Sequence, residues 1–203
     1  MPKKRIIGRK FRGPTPRNYF QTVSVGEGAG WYLERQAKKH PKRKYLAVDP
    51  YPVREIDETT AREAIRRLQK AGVQVLRERI IPAMDKLIRQ RKKVRHFNID
   101  MPNTEEEHAP FGFNQFFEKA KKLLLPNGKV FVTSTDTEFL ERLAQKARAS
   151  GFSTRRPFQM HERSLRKTQW ILDVYTHTDQ IPSILECTLR LKTVFPKKWQ
   201  RKR

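Results

Sequence analysis

Cysteine is almost missing from this chain of 203 residues, with Cys187 standing alone. A lone cysteine excludes an intramolecular disulfide and leaves no thiolate cluster for zinc. No apolar run approaches the roughly 20 residues that a membrane helix needs, and no secretory signal follows Met1. The chain is therefore expected to be soluble, intracellular and cytoplasmic, without a membrane partner. Negative charge is scarce as well. Asp and Glu number 21 against 45 Lys and Arg, a formal net charge of +24. A solvated surface needs charge, but not such an excess of one sign. The excess favours polyanions, whose binding is driven by release of counterions from phosphates. A basic proteome, or burial of this surface inside a ribonucleoprotein, is the alternative.

What is present suits one α/β domain with short extensions, long enough to bury a core without disulfide or structural metal. Basic residues are densest at the two ends. The segment 1–17 and the stretch Phe195-Pro196-Lys197-Lys198-Trp199-Gln200-Arg201-Lys202-Arg203 combine cations with occasional aromatics, which suits phosphate contact and base stacking. They equally suit solvated tails, or a targeting sequence at the start.

Between these arms, short β-rich runs alternate with amphipathic stretches, the pattern of a parallel sheet covered by helices. Strands are expected over Phe20–Val25, Tyr45–Val48, Val73–Leu76, Val94–Ile99, Lys129–Ser134, Phe152–Phe158 and Trp170–Tyr175. Helices are expected over 30–40, from Thr59 or Thr60 as cap to Gly72, over 82–91, over 113–125 and over 138–150. The last carries an apolar stripe of Phe139, Leu140, Leu143, Ala144 and Ala147. Ile181, Ile184, Leu185, Leu189 and Leu191 predict an extra helix over 180–192, with Cys187 outside the core as bland packing. Seven strands with six connections match the count of a class I methyltransferase sheet. The expected organisation is a basic arm at 1–18, a Rossmann-like domain at 19–177, and a helical extension with a basic tail at 178–203.

Four features carry chemistry. Val23-Ser24-Val25-Gly26-Glu27-Gly28-Ala29-Gly30 follows a strand and opens a helix. Alternate glycines let the backbone turn tightly against a ligand, and the helix N-terminus then offers free amides and a positive dipole end. Dinucleotide fingerprints place the third glycine three positions after the second; here it comes two after, which suits S-adenosylmethionine better than NAD. A glycine turn without ligand is the plainer reading. Asp49 closes the second strand about 20 residues later, where an acidic side chain can accept from a ribose diol; otherwise it is a turn residue before Pro50. Asn98-Ile99-Asp100-Met101-Pro102-Asn103 leaves the fourth strand at its carboxyl end. Period-two alternation is taken to turn one of Asn98 and Asp100 to solvent, and Asp100 is favoured as the group that orients a nucleobase proton. Thr135 and Asp136, after the fifth strand, are either substrate ligands or a helix cap. His96, His161 and His177 show no ligand spacing, so no metal site is expected.

In order and type these features resemble the bacterial tRNA (guanine-N7)-methyltransferases, over roughly residues 5–177. Arg9-Lys10-Phe11-Arg12-Gly13-Pro14-Thr15-Pro16-Arg17 is similar to the family's basic entry segment. Gly26, Gly28, Gly30 and Asp49 stand at its methyl-donor positions. Leu124-Leu125-Pro126-Asn127-Gly128-Lys129 with Thr135-Asp136 resembles its helix-turn-strand and Thr-Asp element. His161-Glu162-Arg163 with Trp170-Ile171-Leu172-Asp173-Val174 resembles its closing motif.

The resemblance implies a single Rossmann-like class I methyltransferase domain, a mostly parallel seven-stranded sheet with helices on both faces. It also implies S-adenosyl-L-methionine as cofactor and RNA as partner, tRNA first and rRNA second. Asp100, Asp136 and Glu162 would hold the base edge, with Arg9, Arg12, Thr135 and Arg163 on the substrate. Guanine N7 has its own lone pair, so positioning could supply much of the rate.

The sequence departs from the family at several points. Ser24 stands in place of the acidic residue that opens the donor motif. Asp100-Met101-Pro102-Asn103 replaces a Pro-Asp-Pro-Trp element, and Thr104-Glu105-Glu106-Glu107-His108 is acidic where the family is basic. Gln159 and Met160 occupy the region of a missing threonine. Two other readings stand beside the enzyme. One is a non-catalytic RNA-binding or ribonucleoprotein component on the same scaffold, and the other is a methyltransferase for another substrate, such as DNA or protein, or an unrelated Rossmann-like enzyme.

Overall fold

The computed structural model describes residues 18–26, 31–48, 58–100, 112–134, 136–159 and 183–189. Strand β1 (Tyr19–Val25) leads through helix α1 (Trp31–Lys39) to β2 (Tyr45–Val48), and α2 (Glu58–Lys70) leads to β3 (Gln74–Leu76). Then come α3 (Ile80–Arg89), β4 (Lys93–Asp100), α4 (Phe113–Leu123), β5 (Leu124–Ser134) and α5 (Thr137–Ala149). The short β6 (Ser153–Thr154) and β7 (Phe158–Gln159) precede β8 (Ser183–Thr188).

The sheet runs β3-β2-β1-β4-β5-β8-β6, with β7 also on β8. Strands β1 to β5 are mutually parallel, and β8 is antiparallel to β5, β6 and β7. Because β6 and β7 pair with opposite ends of β8, they fill one position between them, and the sheet has seven positions in all. This is the expected α/β architecture. Its helices lie on both faces. Leu33, Ala37 and Leu68 from α1 and α2 pack on Tyr45, Ala47 and Val73. On the opposite face, α3, α4 and α5 bury Met84, Leu87, Phe116, Phe117, Leu140 and Leu143 against Phe97, Ile99, Val130, Val132 and Leu185. Burial of this apolar surface is the main force holding the layers together.

Four local expectations are corrected. The strand expected over Phe152–Phe158 is two short strands, β6 and β7, of two residues each. The segment expected as a helix over 180–192 contains β8, which lies inside the sheet between β5 and β6/β7. Ser183, Leu185, Glu186 and Cys187 are all buried there, so Cys187 is a core residue. Its apolar positions fit a helical spacing, but the open edge of β5 supplies six register partners from Lys129 to Ser134, and pairing outweighs local propensity. Thr59 and Thr60 lie within α2, which starts at Glu58. Pairing of β5 with β4 begins at Leu124 and resumes at Lys129, so Pro126-Asn127-Gly128 bulges within the strand's span, with Asn127 at φ 59°. The strand expected over Trp170–Tyr175 lies outside the described residues.

Candidate functional site

The chain runs outward from β1 to β3 on one side, then crosses back to place β4 on the other side of β1. Strand order therefore reverses between β1 and β4. In open α/β sheets the crevice above such a reversal, at the carboxyl ends of the strands, is where ligands bind. Register fixes what stands around it. Val25 pairs with Val48 on one side and Ile99 on the other, so Gly26 and Asp100 follow at one level. Asp100 in turn pairs with Thr133 of β5. Gly26 has φ +74°, a left-handed conformation that glycine adopts without steric cost. It turns the chain off β1 so that α1 can start above the sheet with its N-terminus toward the crevice.

Beneath that turn, Ser24 is fully buried and pairs in register with Asn98. The Asn98 amide donates to Ser24 Oγ at 3.2 Å, and the Ser24 hydroxyl lies 3.4 Å from the Asn98 carbonyl oxygen. Asn98 thus stands with Ser24 on the crevice side of β4. Residues two apart on a strand share a face, so alternation gives no ground for preferring Asp100 over Asn98. The polar seam was missed because it depends on the β1–β4 register, which neither strand encodes alone.

Asp136 caps α5. Its Oδ1 accepts from the Phe139 amide at 2.8 Å, and its own amide donates to Ser134 Oγ at 3.0 Å. Of the two roles open to it, the structure shows the cap. Gly28, Gly30, Asp49, Thr135, Glu162, Arg163, Arg9 and Arg12 lie outside the described residues.

A second polar cluster sits lower on the same sheet face. His96 is tilted against Phe131 with ring centroids 6.0 Å apart, and its Nδ1 is buried without a partner. Burial pushes its pKa down to about 4, helped by the charges of Arg95, Lys129 and Arg43 and opposed by Glu186. The ring is neutral near pH 7. It stands four residues below the end of β4, about 13 Å from the crevice at strand rise, too far to serve there as a base. Beside it Lys129 donates to Glu186 Oε1 at 2.7 Å, which holds the Glu186 carboxyl below its ordinary value against the opposing effect of burial.

A concavity of about 520 Å³ lies along edge strand β3, lined by Gln69, Gly72 and 73–76. It is two strands from the crevice and its lining has no titratable side chain, so it is not the reactive site. Among the described residues no group of His, Cys, Asp or Glu could hold a metal ion, and no helix is long and apolar enough to cross a membrane.

With this geometry in place, comparison with solved structures decides the fold. It is the fold of the class I methyltransferases. The chain superposes on TrmN from Thermus thermophilus with a TM-score of 0.55 and 18% identity, covering 85% of this chain and 44% of that one. It matches a precorrin-6y C5,15-methyltransferase from Geobacter metallireducens with a TM-score of 0.57 at 9% identity, covering 86% and 82%. The fibrillarin pre-rRNA processing protein of Methanococcus jannaschii gives 0.55 at 13% identity, covering 89% and 71%. The chain thus spans less than half of TrmN but most of the other two. No protein-family profile matches the sequence, and no curated protein matches it in sequence.

Proposed function

We propose that this chain is an S-adenosylmethionine-dependent RNA methyltransferase that acts on tRNA guanine N7 or on a related RNA base. The observation that carries the reading is Gly26 in a left-handed turn at the β1–β4 reversal, level with the end of β4. The residues present fit the cofactor: small backbone positions at 26, 28 and 30 admit a close ligand, and Asp49, directly after Val48, suits a ribose diol. S-adenosylmethionine would supply an electrophilic methyl group on its sulfonium. Asp100 and Glu162 would hold the base edge so that the ring nitrogen's lone pair faces that methyl, which is catalysis by positioning. Asp136 would contribute through the oxygen its cap leaves over, beside Thr135. Arg9, Arg12 and Arg163 would hold phosphates. RNA as the acceptor is supported by the +24 charge and by fibrillarin, a pre-rRNA processing protein, among the structures of this fold.

The test is calorimetric titration with S-adenosylmethionine, followed by radiolabelled methyl transfer to bulk tRNA and rRNA. A Kd of roughly micromolar order, about 8 kcal/mol, is expected, with binding and transfer both abolished by Gly28→Arg or Asp49→Ala. Absence of donor binding to the intact chain refutes the reading. One observation favours a second reading, a non-catalytic RNA-binding or ribonucleoprotein component. Ser24 is closed onto Asn98 and the Asp136 carboxylate caps a helix, so two polar positions of the crevice are already engaged. That protein would bind RNA, and the same two substitutions would leave RNA binding intact.

A further inference from the structure

The edge of the sheet opposite the crevice carries a concentration of positive charge that the proposed chemistry does not use. Strands β1, β2, β4 and β5 all begin there, because they are parallel. The turn before β2 presents Lys42, Arg43 and Lys44, all exposed, and the start of β4 presents Arg91 and Lys92 in its turn and Lys93 as its first residue. The two turns flank Asn18 at the start of β1: Gln21 donates to the Lys44 carbonyl at 2.7 Å, and Lys92 donates to Asn18 Oδ1 at 3.0 Å. Lys93 donates to the Lys122 carbonyl at 2.7 Å, extending the rim to the end of α4.

Two features separate this rim from ordinary surface charge. Basic residues in the last turn of a helix complement its dipole, which accounts for Lys38, Lys39 and Arg89, but the six cations of the rim lie beyond the helices. On the helices and on β5 several cations are matched, as in Lys38–Glu34, Arg62–Glu58, Lys119–Asp85 and Lys129–Glu186. Among the described residues none of the six rim cations is paired with a carboxylate. Like charges this close repel one another, an arrangement that costs stability unless a polyanion neutralises it.

Chain direction adds a second, independent observation. Residue 18 enters β1 at this edge, and β8, antiparallel to β5, leaves at the same edge, where the Leu189 amide donates to the Gly128 carbonyl at 3.0 Å. Segments 1–17 and 190–203, with seven Lys or Arg residues each, therefore join the described chain at this edge.

We infer that the rim formed by Lys42–Lys44 and Arg91–Lys93 is a docking surface for an RNA phosphate backbone, separate from the crevice by the length of the strands. The separation is about 20 Å over the seven residues of β1. The two turns stand on strands either side of β1, about 10 Å apart at sheet spacing. A duplex carries roughly one charge per 3.4 Å of axis on each strand, so a single strand running along this span presents about three phosphates to the rim's cations. An anionic bilayer suits the rim less well, because residues 38–44 and 89–93 contain no apolar side chain to insert except Pro41. That the polyanion is RNA rests on the reading above. The rim would hold a structured part of the substrate while another part reaches the crevice.

The test measures anisotropy of a fluorescein-labelled RNA hairpin bound to the full chain across a salt series. The triple variant Lys42→Gln/Arg43→Gln/Lys92→Gln is compared with Arg62→Gln/Arg66→Gln/Arg142→Gln, which removes the same charge from the outer faces of α2 and α5. Thermal melting and donor titration confirm that both variants fold and keep the crevice. The rim variant should lose about tenfold or more in affinity near 0.1 M salt, and its log–log salt slope should fall by about 2 to 3, with the control changed far less. Equal losses in both variants assign the effect to net charge and overturn the rim. RNA binding by the unaltered chain with no loss in the rim variant overturns the rim but leaves the RNA reading standing. Failure of the unaltered chain to bind RNA, or its binding of phosphatidylserine vesicles instead, overturns both.

Discussion

The contact between Lys129 and Glu186 ties β8 to β5 and can be isolated energetically. Lys129 Nζ lies 2.7 Å from Glu186 Oε1; the lysine side chain is 36% exposed and the glutamate 10%. Two unit charges at that distance attract by about 6 kcal/mol at an effective dielectric of about 20. Removing the carboxylate from water cancels most of this, and Arg155, 3.9 Å from Oε2, takes over part of the partner's role when Lys129 is lost. The net coupling should therefore fall between an exposed pair and a buried one, at about 1–2 kcal/mol. A double-mutant cycle of Lys129→Met and Glu186→Gln, read by urea unfolding at pH 7, measures it. The sign of the pH dependence is fixed. The carboxyl titrates below its ordinary 4.5 in the folded chain, mainly through the Lys129 hydrogen bond, so the unfolded chain binds the proton first. The coupling is complete above 4.5 and shrinks as pH falls through the folded value. Additive single variants, within about 0.3 kcal/mol at pH 7, would refute both the pairing and the placement of residue 186 in a strand beside β5.

Further outcomes follow from the same packing. Burial raises the Cys187 thiol to about 12, so the native chain should resist iodoacetamide at pH 8 and react fully in denaturant; prompt native labelling contradicts a core position. His96 falls from 6.5 to about 4 on folding, so the unfolded state holds more protons between those values and stability rises with pH there. The contribution is present above 6.5 and lost toward 4, worth up to about 3 kcal/mol and less where water reaches the ring; His96→Phe should flatten that part of the pH profile. A methyl group at Gly128 would meet Leu125 O at 2.8 Å and Leu124 Cδ2 at 2.9 Å. Gly128→Ala should accordingly cost about 1–3 kcal/mol, and an unchanged melting temperature would show that the bulge relaxes freely.

Where one element carries its own periodicity, the sequence was enough to read it. The stripe Phe139, Leu140, Leu143, Ala144 and Ala147 of α5 is buried throughout, and Tyr45–Val48 is a strand with all four residues buried. Gly26 was legible for a related reason, since a left-handed turn after a strand selects glycine. Element β8 was not. Its burial does not alternate cleanly, because it is enclosed by strands on both edges and keeps Glu186 in with Lys129, while its leucines and isoleucines also satisfy a helical spacing. The Ser24–Asn98 seam and the basic rim were hidden for the same cause: each joins residues more than 40 positions apart through sheet register. Asp136 shows the limit from the other side, as one residue type with two uses that only the position of the Phe139 amide separates.

Strand β8 lies inside the sheet, yet it follows all the other described strands in the chain. Until residue 188 has left the ribosome, β5 presents an unpaired row of amides and carbonyls, and Val130 and Val132 have no Leu185 or Cys187 beside them. The nascent protein therefore carries an adhesive β-edge from the completion of β5 at residue 134 until β8 is complete at residue 188. Shortening the chain before residue 183 would make that temporary hazard permanent.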